Sequence, residues 1–129
     1  MNSPSDYLEV SINDLIEKKG VMFKKYSRTP FTGCSVEYHK NGQLGCRLNW
    51  KDGTLDGLRE EYLKNGQLKE KGNFKDGKED GLWENYHHNG QLFTKENYKD
   101  GKPDGLWEDY DYEGNLYQTQ EWKDGKLIK

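Results

Sequence analysis

One pattern returns every 24 residues between positions 33 and 128 without slipping, and a chain with so short a fixed period has few folds open to it. The units are 33–56, 57–80, 81–104 and 105–128, preceded by residues 1–32. Within each, the sixth residue is tyrosine (Tyr38, Tyr62, Tyr86, Tyr110), the tenth glycine (Gly42, Gly66, Gly90, Gly114) and the twelfth leucine (Leu44, Leu68, Leu92, Leu116). The eighteenth is aromatic (Trp50, Phe74, Tyr98, Trp122), and Lys-Asp-Gly follows it each time. A unit this small cannot bury an apolar face alone, so each must lean on its neighbours.

Asn-Gly and Asp-Gly tolerate the positive φ of tight turns, so each unit reads as two strands and two turns. A three-residue loop such as His88-Asn89-Gly90 sets Tyr86 opposite Leu92. Strict alternation then places Leu82, Tyr86, Leu92 and Tyr98 on one face. The same register puts Cys34 and Cys46 on one face but diagonal to each other, and two cysteines make no disulfide framework. Both are expected to be reduced.

Residues 1–32 form a cap and first strand. Tyr26 falls 24 residues before Trp50, and Thr29-Pro30-Phe31-Thr32 stands where later units turn at Asp-Gly. VMFKKY (21–26) is expected to start the sheet. Ahead of it, residues 11–20 offer a capping Ser11 or Asn13 and a stop at Gly20, which suits a short helix or turn over the first edge. Residues 1–6 are expected to be loose. The fold class is therefore all-β: an elongated antiparallel β-meander of hairpin repeats with a short N-terminal cap. Nine strands at about 4.8 Å spacing would run roughly 40 Å.

Composition narrows function. Charged residues make up 33% and hydrophobic ones 31%, but aromatics reach 13%, enough to organise a thin core. No stretch resembles a membrane span or a secretion signal, so a cytoplasmic setting is expected. Phosphate loops, nucleophile elbows and zinc motifs are absent from the sequence. Ser35 and His39 sit four residues apart on one strand, about 13 Å, too far to cooperate. His87 and His88 point to opposite sides of a regular strand. Asp52, Asp76, Asp100 and Asp124 recur as turn residues whose side chains can bond nearby backbone N–H groups, rather than as a calcium ladder. Glu60, Glu84 and Glu108 are expected to meet cross-strand lysines or water. Neither enzyme activity nor any cofactor or metal is expected.

The units, written Tyr-x-x-Asn-Gly-Gln-Leu…Tyr-Lys-Asp-Gly-Lys-x-Asp-Gly-x-Trp, resemble the bacterial variant of the MORN repeat. Tyr26–Gly33, with its Pro-Phe-Thr-Gly, is similar to the lead-in of YwqK-type antitoxins. The resemblance covers about residues 10 to 129. It implies a non-enzymatic β-meander that binds proteins, as an antitoxin or immunity protein neutralising a toxin, or alternatively a membrane-surface or lipid-binding scaffold.

Charge favours the first of these. Net charge is −3, and residues 105–129 alone carry −3. There Trp107-Glu108-Asp109-Tyr110-Asp111-Tyr112-Glu113 interleaves rings with acids, so Trp83, Trp107, Asp109, Tyr110, Asp111, Tyr112 and Glu113 are the candidate partner-binding residues. The expected partner is a protein, a toxin with a basic surface, while a homodimer stays open. A net-negative chain is a poor match for nucleic acid or an anionic membrane.

Overall fold

The structure, a computed structural model, describes residues 9–129. The expectation for residues 1–6 lies outside that range. Two elements open the chain: β1 (Glu9–Ser11), and a single 3₁₀ turn at Ile12–Asp14 whose Asn13 N–H donates to the Ser11 hydroxyl. A small hairpin follows, β2 (Leu15–Lys18) and β3 (Val21–Lys24). The first repeat hairpin is β4 (Gly33–Tyr38) and β5 (Leu44–Lys51), followed by the short β6 (Thr54–Leu55). Next come β7 (Gly57–Tyr62) and β8 (Leu68–Lys75), then β9 (Lys78–Tyr86) and β10 (Leu92–Lys99). The last are β11 (Lys102–Pro103), β12 (Gly105–Tyr110), β13 (Leu116–Lys123) and β14 (Lys126–Leu127).

The main sheet runs in the order β1-β4-β5-β7-β8-β9-β10-β12-β13-β14, with β6 beside β5 and β11 beside β10. All of its pairings are antiparallel except β1 with β4. The all-β hairpin meander therefore stands, with eight long strands between Gly33 and Lys123. Its first strand differs from expectation. Residues 21–24 pair with β2 in a separate two-stranded sheet, tied to the array by Met22, which bonds Gly53 O and Phe31 N–H, and by a bridge from Phe23 to Pro30, and the edge position belongs to Glu9–Ser11. Gly20 stops no helix; with Lys19 (φ 52°, Gly20 79°) it forms the tight turn between β2 and β3. Tyr26, in phase by count, is fully exposed at φ 68°. The phase holds at Phe31 instead. Its carbonyl accepts from Gly53 N–H, as Leu55, Glu79 and Pro103 accept from Gly77, Gly101 and Gly125.

Two kinds of turn fix the register. At Lys-Asp-Gly, each aspartate sits at φ near +50° (Asp52 50°, Asp76 50°, Asp100 52°, Asp124 48°) and a glycine near +80° follows, the pairing a two-residue hairpin turn requires. The carboxylates do not cap these turns as expected. Asp52 N–H donates to Thr32 Oγ1 and Asp76 N–H to Asp56 Oδ2, so the aspartate contributes its tolerance of the left-handed conformation. At the other edge the three-residue loop is confirmed. His87 N–H bonds Gln91 O, Gly90 sits at φ 89°, and Tyr86 faces Leu92.

One residue beyond each leucine the register slips. Tyr38 faces Leu44 but Glu37 faces Cys46, leaving Gly45 bulged; Lys69, Phe93 and Tyr117 are bulged likewise. A bulge shifts the side-chain parity of everything after it. The single ring-and-leucine face expected from alternation is thereby divided. Leu82, Tyr86 and Leu92 stay together, but Tyr98 crosses to the side of Trp83; Tyr62 and Leu68 likewise lie opposite Phe74. Cys34 and Cys46 also separate onto opposite faces, both as free thiols.

Candidate functional site

On one side of the sheet, named here the tryptophan face, the third and eighteenth positions of successive hairpins meet. Phe74, Trp83, Tyr98, Trp107 and Trp122 form a continuous ring column, with centroids 5.0, 6.4, 5.4 and 5.2 Å apart in turn. Each contact is of the edge-on or tilted kind that ring quadrupoles favour. Trp83 donates from Nε1 to Asn73 O (3.1 Å) and Trp107 to Asn97 O (2.9 Å), while Trp50 donates to Ser35 Oγ (2.9 Å). Between Trp50 and Phe74 the column is interrupted by Arg59, which is clasped by Glu70 and Glu61. Burial of the guanidinium lowers its proton affinity, but the two carboxylates outweigh it and hold the group charged.

The opposite, leucine face is built of rows. Leu58, Leu82 and Leu106 form one, exposed by 38–42%. A second alternates charge across the strands: Arg47 faces Glu60, which faces Lys71, then Glu84, Lys95 and Glu108, and finally Thr119. The expected pairing of the repeated glutamates with lysine is met here, with Lys71 Nζ 3.8 Å from Glu84. Tyr62, Tyr86 and Tyr110 make the third row, each phenol held in its neutral form by burial and then by the glutamate two residues before it.

Two open clefts lie on the tryptophan face. One of about 680 Å³ is lined by Glu37, His39, Cys46, Arg59 and Glu61 among others. The second, about 590 Å³, lies between Glu70, Asn85, His87, Phe93, Glu96 and Tyr112. His87 is fixed there: Nε2 donates to Tyr110 O (2.9 Å), Tyr112 stacks on the ring at 4.6 Å, and Phe93 packs at 4.5 Å. His39 is held in the same way by Tyr62 O (2.8 Å). Burial pushes the thiols of Cys34 and Cys46 up, against the arginine beside each, so both are poor nucleophiles. Ser35 holds Trp50, Cys34 lies on the other face, and His39 serves a backbone carbonyl. These three do not converge. Among the described residues no group of three His, Cys, Asp or Glu side chains is placed to hold a metal ion.

The seven candidate binding residues are only partly brought together. Trp107 and Asp109 share the tryptophan face with Trp83, which is 6% exposed and offers little surface of its own. Tyr112, half exposed, joins them through His87. Tyr110 belongs to the leucine face. Asp111 and Glu113 lie in the last hairpin loop, where Asp111 Oδ1 accepts from the N–H groups of Glu113 and Asn115; these bonds hold its carboxyl below the usual range. Missing from the sequence reading as binding residues were His87, which alternation along β9 places on the side of Trp83, and Glu96, which only the bulge brings onto this face. Burial pushes the Glu96 carboxyl up, while Tyr98 donates to it at 3.2 Å.

The MORN repeat variant matches three consecutive stretches, residues 55–76, 79–100 and 103–128, more than half of the chain. This chain belongs to the MORN repeat variant family. No curated protein and no solved structure matches it. The matched stretches begin 24 residues apart, each holding an Asn-Gly or Glu-Gly loop and reaching the Lys-Asp of the turn that follows. The first hairpin, Gly33–Lys51, lies outside the match although its register is the same. Proteins of the MORN family are generally binding or scaffold modules rather than enzymes. No helix among the described residues is long and apolar enough to cross a membrane.

Proposed function

We propose that this chain is a protein-binding module that neutralises a basic protein partner, in the manner of an antitoxin or immunity protein, and receives it on the tryptophan face of its last two hairpins. One observation carries the reading. Across β9, β10, β12 and β13 that face presents Trp107, Tyr112, Glu96, Asp109 and Asp111, and among the described residues no lysine or arginine of these strands shares it. Lys95 lies on the leucine face, facing Glu84 and Glu108. Rings beside acids that outnumber the one lysine of the adjoining cleft, Lys69 of β8, suit a partner rich in arginine and lysine, because aromatic surface supplies affinity while charge steers encounter. The same field repels phosphate, which counts against nucleic acid and anionic lipid.

The test is recovery of the bound protein from the native cell extract by wild type and by an Asp109→Asn, Asp111→Asn, Glu113→Gln variant. The amide introduced by Asp111→Asn retains the oxygen that caps the loop. The partner should be basic, bind the variant at least tenfold more weakly at low salt, and lose less affinity than wild type does as salt rises. Equal binding by both proteins would remove this face from the reading. Sedimentation of wild type with vesicles containing phosphatidylserine, unaffected by the variant, would favour the lipid alternative.

A further inference from the structure

The two ends of the sheet are finished differently. At the first, β1 lies along β4, Glu9 reaches Arg47 (2.6 Å), and Cys34, Ser35 and Val36 are buried. At the other, β14 covers β13 only at Trp122 and Lys123, with Glu121 bonded to Ile128 and Lys129. Among the described residues nothing pairs with the outer side of Leu116–Gln120. Five of the twelve exposed large hydrophobic residues crowd this end: Tyr112, Leu116, Tyr117, Leu127 and Ile128.

Edge strands normally carry charge that discourages pairing, lysine above all. Here Asn115-Leu116-Tyr117-Gln118-Thr119-Gln120 carries none. In the interior each such strand offers a cation to the glutamate of the next hairpin: Arg47 to Glu60, Lys71 to Glu84, Lys95 to Glu108. Thr119 stands in that position on β13. A further hairpin of the same kind would bring a glutamate with nothing to meet. The step into a next hairpin is also missing from the sequence. Asp56-Gly57, Asp80-Gly81 and Asp104-Gly105 make it elsewhere, the glycines at φ 105°, 82° and 108°, and Ile128-Lys129 stand in their place.

We infer that β13 pairs with β13 of a second copy of this chain, antiparallel about a two-fold axis at Thr119. Glu121 N–H and C=O point outward to β14, so by the strand's period of two those of Thr119 also point outward, and the alternation ends at the bulged Tyr117. A symmetric antiparallel pair must place one residue opposite itself, and Thr119 facing its counterpart exchanges two backbone hydrogen bonds between uncharged side chains. Because β1 occupies the other end, the contact is isologous and closes at two copies.

Equilibrium sedimentation over a dilution series tests this. Wild type, 15.1 kDa as a monomer, should sediment at twice that mass when concentrated. Thr119→Lys should remain a monomer at least tenfold higher in concentration while keeping its far-ultraviolet spectrum. Lysine is the residue of Lys71 and Lys95, faces Glu108 within one copy, and meets its like only across the axis. Thr119→Cys should form an interchain disulfide on mild oxidation that wild type does not form, since its Cys34 is buried and its half-buried Cys46 lies on β5, towards the other end of the sheet. Wild type that stays monomeric throughout, or Thr119→Lys that dimerises equally well, would overturn the inference. Neither result bears on binding at Asp109.

Discussion

Trp83 and Trp107 occupy the same position in consecutive hairpins, donate to equivalent asparagine carbonyls, and stack in one column, yet Trp83 is 6% exposed while Trp107 is only half buried. Their neighbours make the difference. Before Trp83 on the preceding strand is Gly72, which has no side chain to hold the indole off, and after it come Thr94 and Tyr98. Before Trp107 at the same place is Glu96, and beyond it lie Gln118, Gln120 and Trp122 of the last long strand and then the open end. The repeat supplies the same ring twice. Its position in the array decides how far that ring works as core and how far as surface.

Substituting the two rings should separate these roles most widely. Trp83→Ala should cost about 3–5 kcal/mol, the usual loss for a buried aromatic. Trp107→Ala should cost about 1–2 kcal/mol by the same rule scaled to partial burial, and should weaken partner binding more than it weakens the fold. Urea unfolding of each, beside binding of the recovered partner, checks both. Similar stability losses at the two positions would break the comparison.

Gly72→Ala comes next. A Cβ at Gly72 would fall within the Trp83 indole, and the ring is fixed by its bond to Asn73 O, so the overpacking should cost about 1–3 kcal/mol. The double variant Gly72→Ala, Trp83→Phe should recover part of that loss, because a smaller ring frees the space. If Gly72→Ala unfolds at the wild-type urea concentration, Trp83 owes its burial to something other than the missing side chain.

The strands, the turns and the pairing of tyrosine with leucine were legible because each rests on a residue type whose physics is local: Asn-Gly, Asp-Gly, and aromatics at fixed spacing. What alternation could not deliver was the division of faces. That depends on the bulge after each leucine, and the bulged residues are Gly45, Lys69, Phe93 and Tyr117, four chemistries with nothing in common. The cause lies in the backbone of the three-residue loop, so no side chain announces it. Hence Glu96 went unnoticed as a neighbour of Trp107, whereas Tyr110 was grouped with Trp107 by closeness in sequence although alternation alone sets the two on opposite sides of the sheet. The first strand was misplaced for a different reason: a three-residue parallel strand at an edge has too little length for any period to show.

The smallest effect expected concerns Glu96, the acid that stands before Trp107 where Gly72 stands before Trp83. Burial raises its carboxyl above the ordinary glutamate value of 4.5, and the charges of Glu70 and Asp109 add to this, against the bonds from Tyr98 and Thr94. A raised folded-state value means that the folded chain binds this proton more tightly than the unfolded chain does. Ionised Glu96 therefore costs stability in full at neutral pH, and the cost fades as pH falls through the raised value towards 4.5. Glu96→Gln keeps an oxygen for the Tyr98 hydroxyl and removes the charge. It should raise Tm at pH 7 by about 1–2 °C, a few tenths of a kcal/mol for a domain this size. At about pH 4.5 the gain over wild type should be gone. If instead the variant is less stable at pH 7, the ionised carboxylate is a net support for Tyr98, and the acid face beside Trp107 is held by the fold rather than tolerated for binding.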